Sequence, residues 1–184
     1  FASVLDMASL DRAQRLGLTK IKLPGTISRK REFLSRVSET FTGDLVFSTG
    51  MTSPEYVEWI LEVFGNQRRI YLLHANSAYP TPLEDCNVAV VAEYKRLAEE
   101  CGHIVPGYSS HDDGWFGSTL AVACGARMVE KHVKLGANEW LHFDNVALDL
   151  GTLEFREFVA AIRNAEAALG SPEKRITPSE HHKY

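Results

Sequence analysis

Two histidines, His111 and His132, stand 21 residues apart, and Glu130 precedes the second by two. A pair of imidazoles beside a carboxylate suits a divalent ion that polarises a carbonyl or activates water. Spacing alone leaves another reading open, two histidines held by hydrogen bonds in a packed interior. Lys20 and Lys22 are also two apart, so on a strand both leave the same face. Ammonium groups gathered inside a barrel need anions, a phosphate or a carboxylate; an exposed strand end is the alternative. Ser48, Thr49 and Gly50 offer hydroxyls and a turn whose backbone can donate to an anion, or simply a strand-to-helix turn. Ser77 and Tyr79 follow His74 and precede Pro80-Thr81-Pro82, whose prolines stiffen that loop.

Chemistry of this kind needs a scaffold that brings distant residues together. Short apolar runs recur at residues 1–5, 20–23, 45–48, 70–74, 104–108 and 128–132, each too short for a helix. Helical patterns fill the intervals, at 8–16, 29–41, 54–64, 83–101, 114–124 and 152–169. Ser53-Pro54 reads as an N-cap with proline at the first helical position. Tyr56, Val57, Ile60, Val63 and Phe64 then share one face, and Gly65-Asn66 stops the helix. Gly102 and Gly170 stop two others. Alternating strands and helices predict parallel strands joined by crossover helices.

No G-x-G-x-x-G follows the first strand, which argues against a dinucleotide-binding sheet. Polar residues gather instead at the C-terminal ends of several strands: Lys22, Ser48, His74, Ser109, Ser110, His111, Glu130 and His132. Barrel enzymes build their sites there. The expected fold is therefore α/β, a TIM (β/α)8 barrel of which residues 1–170 cover about six βα units. Residues 171–184 read as a polar linker or tail, ending in a solvated His181-His182-Lys183-Tyr184. On neighbouring strand ends about 4.8 Å apart, His111 and His132 should converge. Six units would leave two edge strands and an uncovered apolar interior, so the pattern predicts a longer polypeptide upstream of Phe1 or a second chain on those edges.

Composition narrows the class of partner. The chain has 184 residues, 45% hydrophobic and 24% charged, which excludes a disordered chain. A net charge of −4 argues against nucleic acid or an anionic membrane surface. No apolar run approaches the ~18 residues of a membrane span. Cys86, Cys101 and Cys124 lack metal-type spacing and fit a reduced, cytoplasmic protein.

Five strings, in order, carry a resemblance. Leu72-Leu73-His74-Ala75-Asn76-Ser77-Ala78-Tyr79-Pro80-Thr81-Pro82 is similar to the "LLH…YPTP" signature of the sialic acid synthase family. Phe47-Ser48-Thr49-Gly50-Met51 matches its "LSTGM", and Gly107-Tyr108-Ser109-Ser110-His111 resembles its "GYSDH". Gly125-Ala126-Arg127-Met128-Val129-Glu130-Lys131-His132 resembles "GAxxxEKH", and Ala168-Leu169-Gly170-Ser171-Pro172 the stretch after the barrel. The resemblance implies a TIM barrel, often followed by a small antifreeze-like domain absent here, in a domain-swapped homodimer. It implies a transferase of carbohydrate biosynthesis that condenses phosphoenolpyruvate with an aldehyde sugar to give a nonulosonic acid and phosphate. A divalent metal, manganese or magnesium, would be held by His111 and His132, with Glu130 beside the metal and sugar as a catalytic residue. Lys22, Ser48, Ser77 and Ser109 would hold phosphoenolpyruvate, and Tyr79 and Asp144 would lie near the sugar or in a loop over it.

Departures from the family pattern cluster in the same region. Where members read "KIxSG" and then an acid, this chain has Lys22-Leu23-Pro24-Gly25-Thr26-Ile27, with Gly25 for the serine and Ile27 for the acid. Ser110 replaces an aspartate, and Leu141-His142-Phe143-Asp144 replaces "PGPD". These changes imply a divergent member with a different acceptor sugar. Two other classes stay open: a non-catalytic paralogue that binds a sugar or phosphate, and another metal-dependent barrel aldolase or lyase.

Overall fold

The computed structural model describes residues 1–65, 68–137 and 140–180. Asn66 of the expected helix stop and the 181–184 tail lie outside the described residues. Six parallel strands form one sheet: β1 (Ala2–Ser3), β2 (Lys20–Leu23), β3 (Asp44–Ser48), β4 (Ile70–His74), β5 (Ile104–Ser110) and β6 (Met128–Lys131). Their spatial order is their chain order. A doubly wound sheet reverses direction at a switch point, whereas a barrel sheet does not. The sheet is also strongly curved. β2 and β6 are four strand intervals apart, about 19 Å in a flat sheet, yet the Lys22 ammonium and the Glu130 carboxylate form an ion pair. Only a sheet curled around its concave face brings those side chains together. Among the described residues β1 and β6 are the sheet's edges, so the architecture is a half-barrel.

Strand alternation sorts the side chains. In β2, Ile21 and Leu23 are fully buried on the convex side, with Leu45, Phe47, Ile70 and Leu72 of the next strands. Leu10, Leu34, Val37, Ile60 and Phe64 of the covering helices complete that core. Lys20 and Lys22, on the opposite face, line the concavity. Helix α1 (Met7–Arg15) starts with a capping box: the Asp6 carboxylate accepts from the Ser9 backbone N–H, and the Ser9 hydroxyl accepts from that of Asp6. α2 is Arg31–Thr40. α3 (Pro54–Phe64) starts with Pro54 as expected, but Ser53 caps no backbone amide; its hydroxyl serves the Glu55 carboxylate. α5 (Phe116–Ala123) is the fifth crossover, between β5 and β6, and α6 (Glu154–Leu169) follows the last strand of the sheet.

Two expectations are corrected and two features are added. The 83–101 helix is two pieces, a 3-10 turn at Leu83–Asp85 and α4 (Val90–Cys101). Asn87, at a φ of 43°, breaks the helix between them, and Cys86 and Val88 turn inward against Tyr108. β5 runs on through Ser110, so Ser109 and Ser110 belong to the strand. A small parallel pair, β7 (Val133–Lys134) and β8 (Leu148–Asp149), brackets the loop after His132. Finally, the apolar stripe of α6 is only partly covered: Phe158 is buried, whereas Phe155 and Val159 are 39% exposed. They line a groove of about 490 Å³ with Phe1 and Met128, beside the open edges.

Candidate active site at the strand ends

The C-terminal ends of β2 to β6 meet around the concavity. Register explains why. Ser109 pairs with Glu130 across the β5–β6 ladder, and alternation sends both side chains to the concave face. The Ser109 hydroxyl donates to Glu130 Oε1 at 2.7 Å, and Lys22 donates to the same oxygen. Lys22 and Glu130 are 15% and 26% exposed, so water screens the pair weakly. Burial by itself would raise the Glu130 pKa; the charge and hydrogen bond of Lys22 and the bond from Ser109 outweigh it and hold the carboxyl below its ordinary value. Glu130 is thus ionised, and the lysine expected to clamp an anion already holds one.

The two histidines converge as expected. Their ring centroids are 5.3 Å apart with planes 33° apart, a span that two imidazoles sharing one ion through bonds of about 2.1 Å can bridge. His111 directly follows β5, and its Nδ1 lies 2.5 Å from the backbone oxygen of Asn76. That contact assigns the Nδ1 proton and leaves the Nε2 lone pair facing outward. Burial pushes both imidazoles toward the neutral form; the pKa of His132 falls to about 4, because burial, and then repulsion between protons on the two rings, disfavours its charged form. Neutral imidazoles are what a cation requires. Among the described residues no group of three or more His, Cys, Asp or Glu gathers at one point. An ion here would take two protein nitrogens and leave its remaining positions to water or substrate. The donor set therefore fits an open divalent site.

Tyr79 closes one side. Its ring is 4.3 Å from that of His111 and 5.6 Å from that of His132, and its hydroxyl is 3.3 Å from His111 Nε2. A ligand at that nitrogen must displace the phenol. Phe143 stacks on His132 at 4.8 Å, and His142 meets both Tyr79 and Phe143 at 5.1 Å. The loop that departs from the family pattern thus stacks Phe143 on His132 and sets His142 against Tyr79.

Other expected residues are placed as follows. Ser48 is buried at the end of β3. Ser77 is exposed in the loop after β4, its hydroxyl so near Gly50 that an added Cβ would sit 2.5 Å from it. Asp144 is in the loop beside Phe143, and its carboxylate is 2.7 Å from Lys134 Nζ. Thr49 does not offer its hydroxyl to an anion: it donates to the Leu73 carbonyl and accepts from Tyr94. His74 is packed, its Nε2 2.9 Å from the Cys86 carbonyl oxygen. Asp112, Lys131 and Phe143 carry contacts that the sequence reading missed. For Lys131 the signal existed, since it sits between two residues that alternation sends to the other face.

A sequential parallel half-barrel with its ionisable groups at the C-terminal strand ends defines an enzyme-type barrel site. The comparisons define its kind. Residues 1–174 match the NeuB family model, and the chain belongs to that family. It is 36% identical over 137 residues to the N-acetylneuraminate-9-phosphate synthase of Mus musculus, covering 74% of this chain and 37% of that protein. It is 35% identical over 127 residues to the pseudaminic acid synthase of Campylobacter jejuni, covering 68% and 35%. The fold is that of the N-acetylneuraminic acid synthetase of Leptospira borgpetersenii, solved with citrate, at a TM-score of 0.83 and 22% identity over 97% of this chain and 61% of that one. The chain spans about a third to a half of the length of the curated relatives it matches. No helix among the described residues is long and apolar enough to cross a membrane.

Proposed function

We propose that this chain carries the reacting centre of a synthase that condenses phosphoenolpyruvate with the open-chain aldehyde of an N-acyl-hexosamine-type sugar. The products are a nonulosonic acid and phosphate. The observation that supports it most is the Lys22–Glu130–Ser109 cluster on the concave face, with Ser109 and Glu130 each two residues before one of the converging histidines. The family relatives named for sialic-type acid synthesis support the substrate class.

The chain's own residues divide the work. Lys22 exchanges Glu130 for the phosphate or carboxylate of phosphoenolpyruvate, a charge-assisted contact. Ser48, Ser77 and Ser109 donate to the same anion from three strand ends. Carbon 3 of phosphoenolpyruvate attacks the aldehyde carbon, forming the new C–C bond while the aldehyde oxygen gains a proton. Water then adds at carbon 2, the bond from carbon 2 to the bridging oxygen of the phosphate breaks, and phosphate leaves with that oxygen as the water-derived hydroxyl becomes the ketone. Glu130, ionised and released from Lys22, is the base within reach of that water. A divalent ion, manganese or magnesium, held by His111 and His132 supplies Lewis-acid polarisation of the aldehyde oxygen. Tyr79 and the loop bearing Asp144 face the sugar. The same reading makes the protein a cytoplasmic transferase of carbohydrate biosynthesis acting as a homodimer.

Phosphate release from phosphoenolpyruvate, assayed with a panel of N-acylated hexosamines and manganese, tests the reading. Release should depend on the sugar, vanish with a chelator, and vanish in His132→Ala without loss of fold. Lys22→Ala should raise KM for phosphoenolpyruvate. Wild-type turnover in His132→Ala would sink the metal assignment, and turnover of pyruvate in place of phosphoenolpyruvate would move the protein to the aldolase class.

A further inference from the structure

Ser110 stands where the family pattern has an aspartate, yet a carboxylate is still present at the spot. We propose that Asp112 is a positioning residue: through Ser110 and Lys131 it locks the ends of β5 and β6 together and so sets the separation of His111 and His132. Ser110 and Lys131 are the last registered pair of the β5–β6 ladder, so beyond them the ladder no longer fixes the two chains. The Ser110 hydroxyl donates to Asp112 Oδ1 at 2.6 Å. Lys131 Nζ donates to the Ser110 hydroxyl at 3.0 Å and to the backbone oxygen of Asp112. The Gly117 amide, in the first turn of α5, donates to Asp112 Oδ2 at 3.0 Å.

Burial makes this arrangement demanding. Ser110 and Asp112 are 0% exposed. A buried carboxylate is tolerated only when its oxygens are satisfied, and here donors from β5 and α5 satisfy both. A fully satisfied buried network fixes geometry more firmly than packing alone. Gly117 shows how tightly it is fitted: a Cβ there would lie 2.9 Å from Asp112 Oδ2 and 3.0 Å from the Tyr108 hydroxyl.

Alternation places the network on the convex side, away from Glu130 and Ser109, so it does not touch substrate. Ser110 and Asp112 flank His111 on both sides, and Lys131 immediately precedes His132. The peptide carrying each imidazole is therefore tied to the other by one relay. Within the family pattern the charge has moved from the residue before the first histidine to the residue after it, with Ser110 bridging the gap to Lys131.

The inference rests on the reading that the histidine pair holds a divalent ion. Manganese binding to the full protein, followed by electron paramagnetic resonance and by calorimetric titration, tests both separately. Asp112→Asn and Ser110→Ala should each weaken manganese binding roughly 10- to 100-fold, the usual cost of disturbing groups that orient metal ligands, while cooperative thermal unfolding persists. The double variant Ser110→Asp, Asp112→Asn, which returns the carboxylate to the family position, should recover most of the lost affinity. Undiminished binding in Asp112→Asn and Ser110→Ala, or a loss that the double variant does not recover, overturns the proposal. No manganese binding by the wild-type protein overturns the metal reading and this inference with it.

Discussion

At the scale of single residues, the site is governed by which groups carry charge. Lys22 and Glu130 neutralise each other across the concavity, whereas His111 and His132 are kept neutral by burial. The sign of the pH dependence follows. An imidazole whose folded pKa lies below its unfolded value of about 6.5 stabilises the fold fully above that pH and loses the contribution as pH falls through the folded value. For His132 the window runs from about 6.5 down to about 4. The metal-free protein should therefore lose stability on acidification through that window, by at most about 3 kcal/mol from this group. Urea unfolding at pH 7.5 and pH 5 checks it: His132→Gln should flatten the difference, and an unaltered difference would remove His132 as its source. The identities of His111, His132, Glu130, Lys22 and Ser109 were legible from alternation and from family motifs. Asp112 was not, because its partners come from β5, β6 and α5, and no single stretch of sequence displays that meeting.

Among the elements, the loops after β2, β3 and β4 are the ones that carry the end of the site proposed to hold phosphoenolpyruvate. They approach one another through glycines: a Cβ on Gly25 would lie 2.6 Å from the Gly50 carbonyl oxygen. This gives the Gly25 departure a physical reason, since the loop after β2 is seated where no side chain fits. Ile27 likewise points into the core, 2% exposed, so an acid there would be buried rather than presented to a sugar. Restoring the family's serine by Gly25→Ser should thus destabilise the fold by about 1–3 kcal/mol through overpacking and weaken phosphoenolpyruvate binding. A thermal melt with a binding titration reads both, and an unchanged melting midpoint would contradict the close approach. Strands and most helices were legible because apolar runs and 3.6-residue spacing are local signals. The break at Asn87 was not, since the inward turn of Cys86 and Val88 is driven by Tyr108 of β5, a tertiary partner. The β7–β8 pair was also hidden, because two-residue strands carry no periodicity.

For the whole molecule, the alternating pattern and the polar strand ends pointed to a barrel sheet, and the Lys22–Glu130 contact shows its curl. That curl leaves β1 and β6 as edges among the described residues, beside the exposed Phe155 and Val159. Unpaired strand edges next to apolar surface recruit other strands. The 184-residue chain expressed by itself should therefore associate with rising concentration in size-exclusion chromatography with light scattering. A monodisperse monomer at all concentrations would contradict the half-barrel reading of those edges. The reaction is the central claim, and the carbon–carbon bond is its most direct witness. Phosphoenolpyruvate labelled with 13C at carbon 3 should be incubated with the full protein, manganese and the N-acylated hexosamines. The account predicts that the vinylic 13C signal converts to an aliphatic methylene signal only when an acceptor sugar is present. A vinylic signal that persists with every sugar, or conversion to the methyl signal of pyruvate alone, would contradict it.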